Sequence, residues 1–177
     1  MSIHQTIKKS IAKKTLVLSA FAFTCLCSAA AIVANSNFSG DWKLNEQKSD
    51  LGQFGARMAP KSMKIDAKNE SLSTERQALD MQGQPTTTKE TLTFDGKETE
   101  STVFGTTKKK STAKWSEDGK TLNVNSTILF DRDGQQTEIK VTEKWKLSDD
   151  GQTLTVEQSS SSSFGDNSMK LVYDKSK

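Results

Sequence analysis

From Ala113 to the C-terminus, apolar and polar residues alternate with a period of two. Ala113 and Trp115, then Leu122, Val124, Ser126, Ile128 and Phe130, then Ile139, Val141, Glu143, Trp145 and Leu147, fall on one face. Lys140, Thr142, Lys144 and Lys146 fall on the other. Leu154, Val156 and Gln158 follow, and Met169, Leu171 and Tyr173 close the pattern. Strict alternation of this kind predicts strands with one buried face. The punctuation agrees. Ser116-Glu117-Asp118-Gly119-Lys120-Thr121-Leu122-Asn123-Val124 recurs 32 residues later as Ser148-Asp149-Asp150-Gly151-Gln152-Thr153-Leu154-Thr155-Val156, and Asp131-Arg132-Asp133-Gly134 lies between them. Asp-Gly between alternating segments marks a hairpin, because Gly supplies the positive φ of the turn without steric cost.

The upstream half reads the same way with more interruptions. Phe38, Gly40, Trp42 and Leu44 share a face. Met63, Ile65 and Ala67 alternate up to a turn at Lys68-Asn69, and Leu72, Thr74, Arg76 and Ala78 return from it. After a break at Gly83-Gln84-Pro85, Thr88, Glu90, Leu92 and Phe94 lead to Asp95-Gly96. Residues 97–112 show little apolar face and predict short or edge strands. The run Lys108-Lys109-Lys110 reads as a device that keeps an exposed edge soluble. Ser49 to Pro60 is the one non-strand segment. Leu51, Phe54 and Met58 have helical spacing after Ser49 or Asp50 as N-cap, while Gly52 and Gly55 weaken a helix by about 1 kcal/mol each. A loop or single helical turn over one barrel end is expected, as an apolar plug or as a portal lid. Ser159–Ser163 is expected to be a splayed strand end or a mobile loop.

Sequential hairpins without helices to cover a second layer predict an all-β fold, an antiparallel up-and-down (meander) β-barrel of about 8–10 strands. A partly open barrel is the alternative. The Asp-Gly spacing leaves strands of up to roughly ten residues.

Charge and composition alter the picture at the N-terminus. Lys8, Lys9, Lys13 and Lys14 precede an apolar stretch from Leu16, and Ala29-Ala30-Ala31 and Ala34 offer small residues for cleavage. This is the layout of a signal peptide over residues 1–34, leaving one domain over 35–177. A retained anchor is the alternative. A lipid-attachment site at Cys25 or Cys27 fits poorly, since neither has the small residue before it and the aliphatic residue three before it. Removing the four lysines from the 25 Lys and Arg leaves 21 against 22 Asp and Glu, a net charge of −1. The basic character belongs to the leader, and no nucleic-acid footprint remains. The lone His4 and both cysteines also lie in residues 1–34. The domain therefore excludes disulfides, thiol catalysis, His-assisted serine nucleophiles and His/Cys metal sites.

Gly40-Asp41-Trp42 at the start of the first strand resembles the G-x-W motif of lipocalins. The longer string through Lys43-Leu44-Asn45-Glu46-Gln47-Lys48-Ser49-Asp50, with Ala113-Lys114-Trp115 and the Asp-Gly hairpins, resembles a family of secreted bacterial lipocalin-like domains. The resemblance implies a calycin-like barrel with an interior ligand. Lipocalins also place an Arg near the end of the last strand, stacked on this Trp. Here that strand, expected over Ser168–Asp174, holds Lys170, and Lys175 follows it.

Parity places Arg76, Glu90, Glu143 and Gln158 on the inward face. A buried charge without a partner costs several kcal/mol, so these groups must pair, reach water or meet a ligand. Arg76 is expected to pair with Glu90 across adjacent strands. Two readings follow. In one, the interior holds a small hydrophobic or amphipathic molecule, including an acidic one bound by Arg76, with Trp115, Leu122, Phe130 and Trp145 lining the apolar part and Glu90, Glu143 and Gln158 the polar part. In the other, the barrel is packed, the charges pair structurally, and the protein is a cell-envelope interaction module without a small ligand. No catalytic residues, metal or cofactor are assigned. Glu90 and Glu143 as a glycosidase pair, and Asp131–Gly134 as a Ca²⁺ loop, each lack supporting features. An outer-membrane barrel would turn Arg76, Glu90 and Glu143 toward lipid. The expectation is an exported monomer, periplasmic or extracellular, that does not span the membrane once the leader is removed.

Overall fold

The computed structural model describes residues 35–176 apart from 53, 54, 81 and 133. The expected signal peptide, its cleavage site and Cys25 and Cys27 lie outside the described residues, as do Phe54 of the expected helix and Asp133 of the Asp-x-Asp turn. Ten strands follow one another: β1 (Gly40–Leu44), β2 (Ser62–Ala67), β3 (Ser71–Leu79), β4 (Pro85–Thr93), β5 (Thr99–Val103), β6 (Thr107–Trp115), β7 (Thr121–Arg132), β8 (Gln135–Leu147), β9 (Thr153–Ser162) and β10 (Gly165–Lys175). One helical turn, α1 (Gly55–Met58), lies between β1 and β2. Every pairing is antiparallel, in the order β4-β3-β2-β1-β10-β9-β8-β7-β6-β5. The meander thus wraps until β4 and β5 lie side by side without ladder hydrogen bonds, a nearly closed barrel with a single seam.

The two copies of the sequence repeat form the same turn. Ser116 N–H donates to Thr121 O and Gly119 N–H to Ser116 O, at 2.8 and 2.9 Å. Ser148, Thr153 and Gly151 repeat both bonds at the same distances. Asp118 and Asp150 accept from the Ser hydroxyls and from the backbone N–H groups of Lys120 and Gln152, two residues on. Gly119 and Gly151 take φ of 65° and 68°, the left-handed region where a Cβ is unfavourable.

Several expectations needed correction. Residues 97–112 are short edge strand only in part: β5 is five residues long and ends the sheet at the seam, as expected, but β6 lies between β5 and β7, and Lys109 is buried rather than on an exposed edge. Ser159–Ser162 is regular strand, paired with β10 through Ser159↔Ser168 and with β8 through Ser160↔Val141. Alternation continues through the serines, and ladder bonding does not depend on side-chain identity. The last strand begins at Gly165 and extends to Lys175, and β8 reaches 13 residues. Neither Ser49 nor Asp50 caps α1. Ser49 Oγ instead accepts from Val172 N–H at 2.9 Å, and Asp50 bridges to Lys170, so segment 45–50 continues the ladder along β10. α1 is a single turn at one barrel end, as expected, but Met58 is exposed rather than a plug.

The two ends of the barrel differ. At one end, the floor, Phe38 stacks on Trp115 with ring centroids 5.3 Å apart and 7° between planes. Trp145 and Phe94 approach this pair edge-on. Ser36 N–H donates to Gly119 O, drawing the N-terminal segment across the opening. Leu72, Leu92, Leu122, Val124 and Leu154 are wholly buried above it. At the other end, the mouth, lie α1 and the β3–β4, β5–β6, β7–β8 and β9–β10 turns.

The Trp of the G-x-W string is held from both sides. Trp42 Nε1 donates to Phe38 O at 2.9 Å, and Lys175 Nζ sits 5.3 Å from the Trp42 ring centroid. Gly40 makes room for that lysine: a Cβ at Gly40 would come within 2.7 Å of Lys175 Cε.

Candidate functional site

Above the floor, the inward faces of β3, β4, β6, β7 and β8 carry a belt of charged and hydroxyl side chains. Arg76 does not pair with Glu90. Its Nη1 and Nη2 donate to Glu143 Oε1 and Oε2, both at 2.9 Å, in a bidentate pair that spans the barrel. Strand register puts Arg76 opposite Thr88 and Glu90 opposite Thr74, so the two expected partners are only diagonal neighbours. The parallel fork to a carboxylate is the stronger arrangement. Glu143 also accepts from Trp145 Nε1 at 3.0 Å, and the Arg76 guanidinium lies 5.1 Å from the Trp145 ring centroid.

Glu90 has a different partner. Lys109 Nζ donates to Glu90 Oε2 at 2.8 Å across the seam, and Ser111 Oγ donates to Glu90 Oε1 at 2.6 Å. Ser111 in turn shares a hydrogen bond with Ser126 at 2.9 Å. Two cations therefore face two carboxylates, and the belt is self-neutralised. Glu143 and Glu90 are 4% and 5% exposed. Burial alone raises the Glu143 pKa, but Arg76, with Lys109 behind it, overrides this and holds it at about 2. Burial likewise opposes the charge on Arg76, and Glu143 more than reverses that, raising its pKa. Burial pushes the Tyr173 phenol up, and its hydroxyl donates to Pro60 O at 3.1 Å.

The belt is not fully satisfied. Arg76 Nε, Thr74 Oγ1 and Ser101 Oγ are buried without a hydrogen-bond partner. Such groups are uncommon in folded proteins. Thr74, Glu90 and Ser101 also reach an open groove of about 460 Å³ that crosses the seam.

Between belt and mouth the burial changes. Ala78, Thr86, Thr88, Val141, Ile139, Thr137, Phe130, Gln158, Ser160, Ser162 and Asn167 point inward by parity, yet each is only partly covered. Phe130, Ile139 and Val141, with the buried Ile128, form an apolar strip on β7 and β8; β4, β9 and β10 contribute hydroxyls and the amides of Gln158 and Asn167.

The expected site residues separate into three levels. Trp115 and Leu122 belong to the floor packing. Trp145 lies directly under the belt, which holds Arg76, Glu90 and Glu143. Gln158, opposite Glu143 in register, and Phe130 line the partly open half. Lys109, Ser111 and Ser126 were missed. Counting back by twos from Trp115 through Ala113 reaches Ser111 and Lys109, so their parity was readable, but the flanking lysines disguised a buried one.

The chain matches no protein-family model, and no curated protein matches it. Among solved structures it is similar to the zebrafish ileal bile acid-binding protein complexed with cholic acid, at 14% identity and a TM-score of 0.47, over 80% of this chain and all of that one.

Proposed function

We propose that the protein binds a small amphipathic molecule in the mouth half of its barrel. The polar part rests on the belt of Arg76 and Glu143, and the apolar part lies along the strip of Ile128, Phe130, Ile139 and Val141. The carrying observation is the change in burial along the interior. Below the belt the inward residues are sealed; above it they are partly exposed and mix hydroxyl and amide with apolar groups, so that both parts of an amphipathic molecule would find partners. The pairing of Arg76 with Glu143 favours a neutral, hydroxyl-bearing polar end over a carboxylate, because an anion would meet Glu143 and compete for a guanidinium already engaged. Arg76 Nε and the Thr74 and Ser101 hydroxyls are without partners there. Binding rather than catalysis is supported by the lack of His and Cys after residue 34. The basic and apolar leader supports an exported setting.

The test is a titration of the purified protein with a neutral monoacylglycerol below its micelle concentration, followed by Trp emission, with Trp145 directly beneath the belt as the reporter. A saturable, one-to-one change that weakens in Phe130→Ala and Thr88→Val is expected. The interaction-module reading is favoured by one observation, that all four belt charges already have partners. An unchanged emission from a chain with an intact β-sheet spectrum would decide for it.

A further inference from the structure

Among the described residues, the exposed large apolar side chains are Met58, Leu79, Phe104, Leu129 and Phe164. All five lie in the mouth half. Met58 ends α1, Leu79 ends β3, Phe104 and Phe164 occupy the β5–β6 and β9–β10 turns, and Leu129 is near the end of β7. The floor turns instead present Lys68-Asn69, Asp95-Gly96, Glu117-Asp118 and Asp149-Asp150. Scattered single apolar residues on a surface need no explanation, but their confinement to one end does.

Phe104 adds an independent observation. It has φ of +48°, the left-handed conformation that a bulky L residue rarely adopts. The turn holds a 56% exposed aromatic ring there, edge-on to Phe130 with centroids 6.5 Å apart. An unfavourable backbone maintained to present an apolar ring to solvent at a binding mouth suggests a functional constraint.

We propose that the mouth docks on a neutral lipid surface, with Phe104 and Phe164 as its inserted tips. The apolar side chains stand on separate turns around an opening rather than forming a flat patch. Separate tips suit a deformable apolar phase, into which each inserts independently, better than a rigid protein partner. The charges agree with a zwitterionic surface. Asp80 and Asp131 accept hydrogen bonds from the N–H groups of their own turns, at Gln82, Gln84 and Gly134. The described rim has no cluster of basic residues to select anionic lipid. The direction of transfer also fits, and here the inference rests on the proposed binding mode. An amphiphile in a lipid surface presents its polar end outward. Drawn into a mouth seated on that surface, it enters polar end first, and this end reaches the belt while the apolar remainder stays beside Phe130.

The experiment places one additional Trp at a time in the full chain, Phe164→Trp at the mouth and Glu117→Trp at the floor, and adds phosphatidylcholine vesicles whose acyl chains carry bromine. After subtraction of the emission of the parent chain, position 164 is expected to lose roughly half of its added emission and to shift to the blue, as interfacial insertion requires, while position 117 is unchanged. Quenching at 117 rather than 164, or at neither, overturns the proposal. The first outcome would place the floor, where the N-terminal segment enters, on the lipid. Phe164 is exposed on the β9–β10 turn and is not among the inward residues, so the monoacylglycerol titration of the Phe164→Trp chain separates the two claims. Loss of that binding counts against interior binding alone, and loss of quenching at 164 against docking alone.

Discussion

Arg76 and Glu143 are 67 positions apart in the chain and meet across the barrel through two parallel hydrogen bonds, each 2.9 Å long. Arg76 retains 14% side-chain exposure and Glu143 retains 4%. Removing one member leaves the other as a buried, unpaired charge. Arg76→Met is expected to cost about 3–5 kcal/mol. The double change Arg76→Met with Glu143→Gln, which keeps an acceptor for Trp145 Nε1, should recover most of that loss. Urea midpoints of the three chains and the parent give the coupling, and additive losses would show that the pair is not an energetic unit.

The same pair sets an acid limit. The folded pKa of Glu143, about 2, lies below its ordinary value of 4.5. A depressed carboxylate contributes stability above its unfolded pKa and loses that contribution as pH falls through its folded pKa. Stability should therefore decline between about pH 5 and pH 2, and the decline should be shallower in Glu143→Gln. Denaturant unfolding at a series of pH values checks this, and parallel curves for the two chains would refute it.

Lys175 Nζ lies 5.3 Å from the centroid of the buried Trp42 ring. Lys175→Ala should cost about 0.5–2 kcal/mol, the range of a cation–π contact at partly buried sites. Lys175→Arg should preserve the stability or raise it, since a guanidinium stacks on an indole at least as well. Thermal midpoints provide the comparison.

The seam between β4 and β5 lacks ladder bonds and is crossed by Lys109 and Glu90. Amides of β4 and β5 that face it should exchange with deuterium faster than those of β7 and β8, which are paired on both sides. Lys109→Met should accelerate exchange along the seam more than elsewhere. Uniform acceleration would mean that Lys109 supports the whole barrel rather than the seam.

Much of the architecture was legible in the chain. Alternation from Ala113 to Leu147 and the repeated Ser-x-Asp-Gly turns specify consecutive hairpins, because a strand's two faces and a turn's positive φ are local properties. Parity alone brought Arg76, Glu90 and Glu143 inside. The serine run and residues 107–112 were misread for the converse reason. Their side chains carry little hydrophobic signal, while the backbone pairing that fixes them as strands comes from neighbours distant in sequence.

What the sequence by itself determined was the fold class and the inward set of residues. Only the tertiary structure decided which inward charges meet. Period-two alternation records the side of the sheet, but closure of the barrel sets the distance across it, and so Arg76 found Glu143 while Lys109 reached Glu90 over the seam. The same closure sealed one end with Phe38 and Trp115 and left the other open, a difference that alternation, identical at both ends, cannot encode.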